Sequence, residues 1–157
     1  WDLVISSVKG YAPLCFILAI ATAFSRVLTL LRAPQDISAF MAANISSSAI
    51  FLLAVVVLFF LLGMVMDTGP AIVIMAPIFL PTLQNFGVSP IHFGVILVVC
   101  LAIGLVTPPF GLNLFVVSPM VDTPVMTLGK KSIPFILVFL IAVLLITYIP
   151  ALSLMFL

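Results

Sequence analysis

Apolar runs long enough to cross a lipid bilayer dominate this chain and limit the folds open to it. Tyr11 to Leu31 is a mainly apolar stretch of 21 residues, and a helix needs about 20 such residues to span a hydrocarbon core of about 30 Å. Ala49–Met66, Ile91–Ser118 and Ile133–Leu157 repeat the pattern. Composition removes the soluble alternative. The chain is 66% hydrophobic and 6% charged, with a mean hydropathy of +1.55, whereas soluble domains run at about 45–50% apolar and about 25% charged. A soluble chain of 157 residues could not hide that much apolar surface from water. Lipid accepts it, provided that each backbone polar group is satisfied within a helix or a closed barrel. The expected fold class is all-α integral membrane, a bundle of transmembrane helices embedded in the lipid bilayer.

Several function classes drop out. The net charge of +1 supplies no basic patch for nucleic acid. Cys15 and Cys100 both fall inside apolar runs and His92 is the only histidine, so neither a zinc spacing nor a disulfide framework is present. No paired carboxylates, no nucleophile beside a base and no Gly-rich phosphate loop occur, which leaves an enzyme reading without footing. No cofactor is expected beyond a coupling ion. His92 follows a loop over residues 84–90 and reads as an interfacial residue. Arg26 reads as snorkelling toward headgroups.

The organisation follows from where hydrophobicity breaks. Residues 11–31 are a transmembrane helix. Over residues 34–48, Ile37, Phe40, Met41 and Ile45 recur at helical spacing among polar residues, the pattern of a helix lying at the interface, or of a connecting loop. Residues 49–83 read as a hairpin. Its first arm ends at Asp67-Thr68-Gly69-Pro70, and its second arm, Ala71 to Leu83 between Pro70 and Pro81, has 13 residues. At 1.5 Å per residue such an arm reaches only about 20 Å, too short to cross. That length predicts a re-entrant hairpin whose tip is buried in protein or faces a watery cavity. Residues 91–118 form a span interrupted at Thr107-Pro108-Pro109, and residues 133–157 the last span. Lys9 and the Lys130-Lys131 pair lie on one side by parity, which the positive-inside rule makes cytoplasmic. The hairpin then enters from outside.

Two places break the apolar pattern at membrane depth. Asp67 at the hairpin tip is one: an ionised carboxylate near mid-membrane costs about 2.5–3.5 kcal/mol on insertion scales, which a cation would offset. The competing reading is an N-cap for a helix starting at Pro70 or Ala71. The other is Gly104 to Asn113. Proline lacks an N–H and excludes the carbonyl four residues back, so Pro108 and Pro109 should free the carbonyls of Gly104 and Leu105 and unwind the helix near Thr107. Bare carbonyls with a threonine hydroxyl suit a hard cation such as Na⁺, and the negative end of the first half-helix points there. The second half-helix, after Gly111, offers N–H groups to an anion. A broken helix with such ends is the usual site of ion-coupled carriers. The simpler reading is a proline kink.

These residues carry a family resemblance. Gly63-Met64-Val65-Met66-Asp67, followed by Pro77 and Pro81, then Ser89-Pro90-Ile91-His92-Phe93-Gly94, then Leu101 through Phe115 with Thr107-Pro108-Pro109-Phe110-Gly111-Leu112-Asn113 at its centre, resembles the C-terminal part of the large membrane subunit of tripartite ATP-independent periplasmic (TRAP) transporters, the DctM type. The resemblance implies a sodium-driven secondary transporter for organic acids in the bacterial inner membrane. It implies three partners: a small membrane subunit, a periplasmic substrate-binding protein, and a carboxylate substrate such as a C4-dicarboxylate or a sialic-acid-like molecule. It further implies two inverted repeats that move as an elevator, of which this chain would hold the second. Carried over by position, Asp67, Gly104, Thr107 and Gly111 would bind Na⁺, and Thr68, Pro108 and Asn113 would line the substrate. The chain departs from the family in having Cys100 where Asn is usual and Val56 where a polar residue is frequent. Two other readings stand beside this one: an assembly subunit that moves nothing, and a sodium–carboxylate carrier of similar architecture outside the TRAP family.

Overall fold

The computed structural model describes residues 1–45 and 47–155, with side-chain surroundings described at all of these except 2, 3, 6, 7, 9–14, 17 and 18. Among the described residues every element is a helix: α1 (Asp2–Leu30), α2 (Ala33–Asn44), α3 (Ser48–Val65), α4 (Thr68–Phe86), α5 (Pro90–Gly104), α6 (Leu112–Met120), α7 (Val125–Tyr148) and α8 (Pro150–Leu154). Three of them, α3, α4 and α7, are long and apolar enough to cross a membrane. The outer face of α7 leaves Phe135, Val138 and Ile141 at 69, 66 and 60% exposure, which water would not tolerate over such an area but lipid does. This is a multi-pass, all-α membrane protein.

The core lies where α3 meets α5. Phe51, Val55 and Phe59 repeat every four residues, so they line one face of α3, and all three are fully buried. Phe93, Ile96, Leu97, Cys100 and Leu101 of α5 belong to the same buried cluster. Phe59 meets Phe79 of α4 edge-on at 5.3 Å and Phe93 of α5 at 5.6 Å. This aromatic trio joins the hairpin arms to α5.

The structure draws the second arm differently from the sequence reading. Rather than 13 residues bounded by prolines, α4 is one helix of 19 residues that runs through Pro77 and Pro81 and is long enough to cross. A proline inside a helix removes one hydrogen bond and bends the axis, but packed neighbours let the helix continue. The helix stops instead at Gly87, whose φ of +65° is the left-handed backbone that glycine adopts without steric cost. Length therefore gives no argument for re-entrance.

Other boundaries shift for local reasons. The first helix starts at Asp2 rather than Tyr11. The α2 helix covers residues 33–44 and ends where Ile45 turns extended; Ser46 lies outside the described residues. It is tied to α4 by the Asn85 amide, which donates to the hydroxyl of buried Ser38 at 3.0 Å. The α7 helix begins at Val125, taking in Lys130 and Lys131, and ends at Tyr148 just before Pro150. The two lysines do not interrupt it, because their long stems let the charges reach outward. The end of the expected last span, Phe156–Leu157, lies outside the described residues.

Candidate functional site

The second broken pattern in the sequence is a real interruption. The α5 helix ends at Gly104, α6 starts at Leu112, and residues 105–111 are non-helical, with a cis peptide bond between Pro108 and Pro109. Thr107 sits in this break with 7% exposure. Its hydroxyl donates to the Ile103 carbonyl at 2.7 Å, which leaves the oxygen lone pairs free to accept or to coordinate.

The expected bare carbonyls are not bare. The Gly104 carbonyl accepts from the Thr107 N–H at 2.9 Å, and the Leu105 carbonyl accepts from the Asn113 N–H at 3.0 Å. The prolines do remove the helical donors, but the chain folds back and N–H groups within and beyond the break replace them, as buried backbone groups require. Each carbonyl oxygen keeps a second lone pair. The start of α6 is also less open to an anion than expected: the Asn113 N–H is engaged by Leu105, and the Leu114 N–H donates to the Gly111 carbonyl at 2.7 Å.

Gly111 is the pivot of the break. Its φ is +24°, and a Cβ there would lie 2.9 Å from the Thr107 carbonyl oxygen and 3.2 Å from that of Leu105. Two carbonyl oxygens thus converge on a position that only glycine leaves open. From the other side α7 braces the break. A Cβ on buried Gly129 would come within 2.7 Å of the Pro108 ring, so glycine lets α7 lie directly on that ring.

At the hairpin tip, Asp67 is exposed and its carboxylate accepts from the Thr68 N–H at 2.7 Å. It caps α4 at Thr68, earlier in the chain than the Pro70 or Ala71 start expected for a cap. Thr68 and Pro108 are half-buried, and Asn113 is exposed. Among the described residues no hydrogen bond joins Asp67 or Thr68 to the break. The helices that lead into them, α3 and α5, pack backbone to backbone instead. A Cβ on Gly104 would lie 2.6 Å from the Gly63 Cα and 2.7 Å from the Met64 nitrogen, and one on Gly63 would lie 2.5 Å from the Leu101 oxygen. Small residues permit this close crossing, which in lipid supplies the van der Waals contact that holds helices together. Asp67 follows Gly63 by four residues and Thr107 follows Gly104 by three, so the tip and the break both leave the same crossing.

Among the described residues no three His, Cys, Asp or Glu side chains gather. Any cation here would meet backbone and hydroxyl oxygens, the donors that suit a hard ion.

This geometry joins a capped hairpin tip to a proline-broken helix, and comparison with known proteins gives it a family. A family model described as "Tripartite ATP-independent periplasmic transporter, DctM component" matches residues 2–152. The chain belongs to the DctM family. It is 40% identical over 141 residues, 90% of its own length, to the C4-dicarboxylate TRAP transporter large permease protein DctM of Pseudomonas aeruginosa. It is 37% identical over 156 residues, 99% of its length, to the isethionate TRAP transporter permease protein DctMQ of Oleidesulfovibrio alaskensis. A C4-dicarboxylate large permease from Vibrio cholerae is 36% identical over 140 residues, 89% of the chain. The chain covers 33%, 25% and 31% of the lengths of these relatives.

Sequence reasoning on this DctM chain singled out the residues of the tip and the break but missed those that hold them. Gly63 was visible only as a motif letter, and Gly104 was singled out for its carbonyl and as a sodium ligand, not for the packing it permits. Gly129 carried no signal beyond being a lone glycine ahead of two lysines. His92, read as interfacial, is buried at 2% exposure.

Proposed function

We propose that this chain is the second-repeat portion of the large membrane subunit of a TRAP transporter, and that it couples inward sodium flow to uptake of an organic acid in the bacterial inner membrane. The observation that supports this reading is the Gly63–Gly104 backbone crossing, which packs the helix leading to the acidic tip against the helix leading into the break. Sodium fits the donors there: the Leu105 and Thr107 carbonyls converging on Gly111, and the lone pairs of the Thr107 hydroxyl. Asp67 would add charge from the tip, and Thr68, Pro108 and Asn113 would face the substrate.

Re-entrance of the hairpin rests on position, not on arm length. The α5 helix has 15 residues and so rises about 22 Å, less than the roughly 30 Å of the hydrocarbon core. With Pro90 at one membrane surface, this reading puts the break inside the bilayer and the hairpin tip inside with it. Helices that meet at such a point can move as one block against the rest of a subunit, which is what elevator motion requires.

Relatives named for C4-dicarboxylate and for isethionate support a small organic anion as substrate. In this reading a periplasmic binding protein delivers a carboxylate, and a small TRAP membrane subunit braces the large one. The test is sodium-driven uptake by a complete transporter carrying this segment, reconstituted in proteoliposomes with its binding protein. Thr107→Ala and Asp67→Ala should each raise the sodium concentration needed for half-maximal uptake. Unchanged sodium dependence in both would overturn the site.

A further inference from the structure

At the far end of α5 from the break lies a second polar cluster, built around the only histidine of the chain. His92 contacts the Ser153 hydroxyl through Nδ1 and the Thr147 carbonyl through Nε2 at 3.2 Å. Ser153 in turn reaches the Pro150 carbonyl at 3.1 Å. Thr147 belongs to the last turn of α7, where carbonyls lack intrahelical partners, and Ser153 and Pro150 belong to α8. One imidazole thus fastens α5 to the elbow between α7 and α8.

Counting protons shows what this arrangement can do. A carbonyl only accepts, so Nε2 must carry a hydrogen for Thr147. Ser153 has a single hydroxyl proton. With a neutral ring, the lone pair of Nδ1 and the carbonyl of Pro150 compete for that proton, and one contact is left without a hydrogen. With a second proton on the ring, Nδ1 donates to Ser153, Ser153 donates to Pro150, and Nε2 donates to Thr147. All three contacts are then hydrogen bonds. We infer that His92 is a proton-binding site whose occupancy locks the α7–α8 elbow onto α5.

The surroundings support the assignment. His92 borders a cleft of about 230 Å³ shared with Ser48, Ser89, Gly87, Pro150 and Leu154, a volume that would hold several waters at about 30 Å³ each. Among the described residues the hydrogen-bond partners of His92 are neutral. The helices α3, α4, α5 and α8 contain no Asp, Lys or Arg. On α7, Lys131 lies 16 residues before Thr147, about 24 Å along the helix. Tyr148 gives its phenol to the Ala49 carbonyl at 3.2 Å. The Cys100 thiol, eight residues along α5, is about 12 Å away by helical rise.

A single histidine makes the test unambiguous. The chain, labelled with ¹⁵N-histidine and with ¹⁵N in the backbone, is placed in lipid nanodiscs and followed by NMR from about pH 5 to 8, the range in which histidine changes charge. At low pH both ring nitrogens should read as protonated. On raising the pH one should become bare, and the α8 amide resonances should shift with the same midpoint. In Ser153→Ala the ring should still titrate, but the α8 resonances should cease to follow it. A ring locked in one neutral tautomer throughout overturns the site, as do α8 resonances that ignore the ring, or that still follow it in Ser153→Ala.

Discussion

Gly63 of α3 and Gly104 of α5 touch backbone to backbone, and neither position has room for a methyl group. Gly104→Ala would set its Cβ 2.6 Å from the Gly63 Cα, so the helices must separate. Overpacking of this kind typically costs about 1–3 kcal/mol. Each single alanine should lower the midpoint of thermal unfolding in detergent, and sodium-driven uptake by the complete transporter should fall as the tip moves off the break. One separation can accommodate both methyl groups, so the double variant should cost less than the sum of the two. Strict additivity would mean that the glycines do not share one crossing.

Thr107 allows hydroxyl chemistry to be separated from packing. Thr107→Ser keeps the hydroxyl, whereas Thr107→Val keeps the shape. The Ile103 carbonyl that receives the hydroxyl also accepts the Val106 N–H at 3.2 Å, so the valine variant leaves no orphaned acceptor and should lose about 1 kcal/mol at most. Its half-maximal sodium concentration should nevertheless rise about tenfold, a change of about 1.4 kcal/mol in ion binding. The serine variant should stay close to wild type. Uptake assayed against a sodium series reads both.

Asp67 has a role the structure makes plain, capping α4 through the Thr68 N–H, and a second that we propose, attracting sodium. Asparagine caps about as well as aspartate, whereas alanine loses about 1 kcal/mol. Asp67→Asn should therefore unfold like wild type but need more sodium for uptake, and Asp67→Ala should be impaired in both. An asparagine variant with wild-type sodium dependence would reduce Asp67 to a cap.

What could be read from sequence follows the range of the interactions involved. The break at residues 105–111 was legible because proline acts on its own peptide bond and on the carbonyl four residues back. The true length of α4 was not, because whether a helix survives Pro77 and Pro81 depends on neighbours contributed by α1, α2 and α5. The satisfied carbonyl of Leu105 was hidden for a similar reason, since its donor lies across the break at Asn113. The burial and partners of His92 were hidden because those partners stand 55 and 61 residues further along the chain, where no local pattern points to them.

Thr82 offers a last check on how α4 is packed. A threonine within a helix commonly turns its hydroxyl back to the carbonyl four residues earlier, as Thr147 does to Val143 at 2.7 Å and Thr107 does to Ile103. Thr82 is fully buried, yet among the described residues its hydroxyl has no partner. A buried polar atom left unsatisfied costs about 1–3 kcal/mol, and valine matches threonine in shape. Thr82→Val should therefore raise the unfolding midpoint of the chain in detergent, by an amount equivalent to about 1 kcal/mol. If the same substitution instead destabilises the complete transporter while stabilising this chain, the hydroxyl meets its partner on a segment outside these residues. That outcome would mark the α4 face around Thr82 as a contact with the remainder of the subunit.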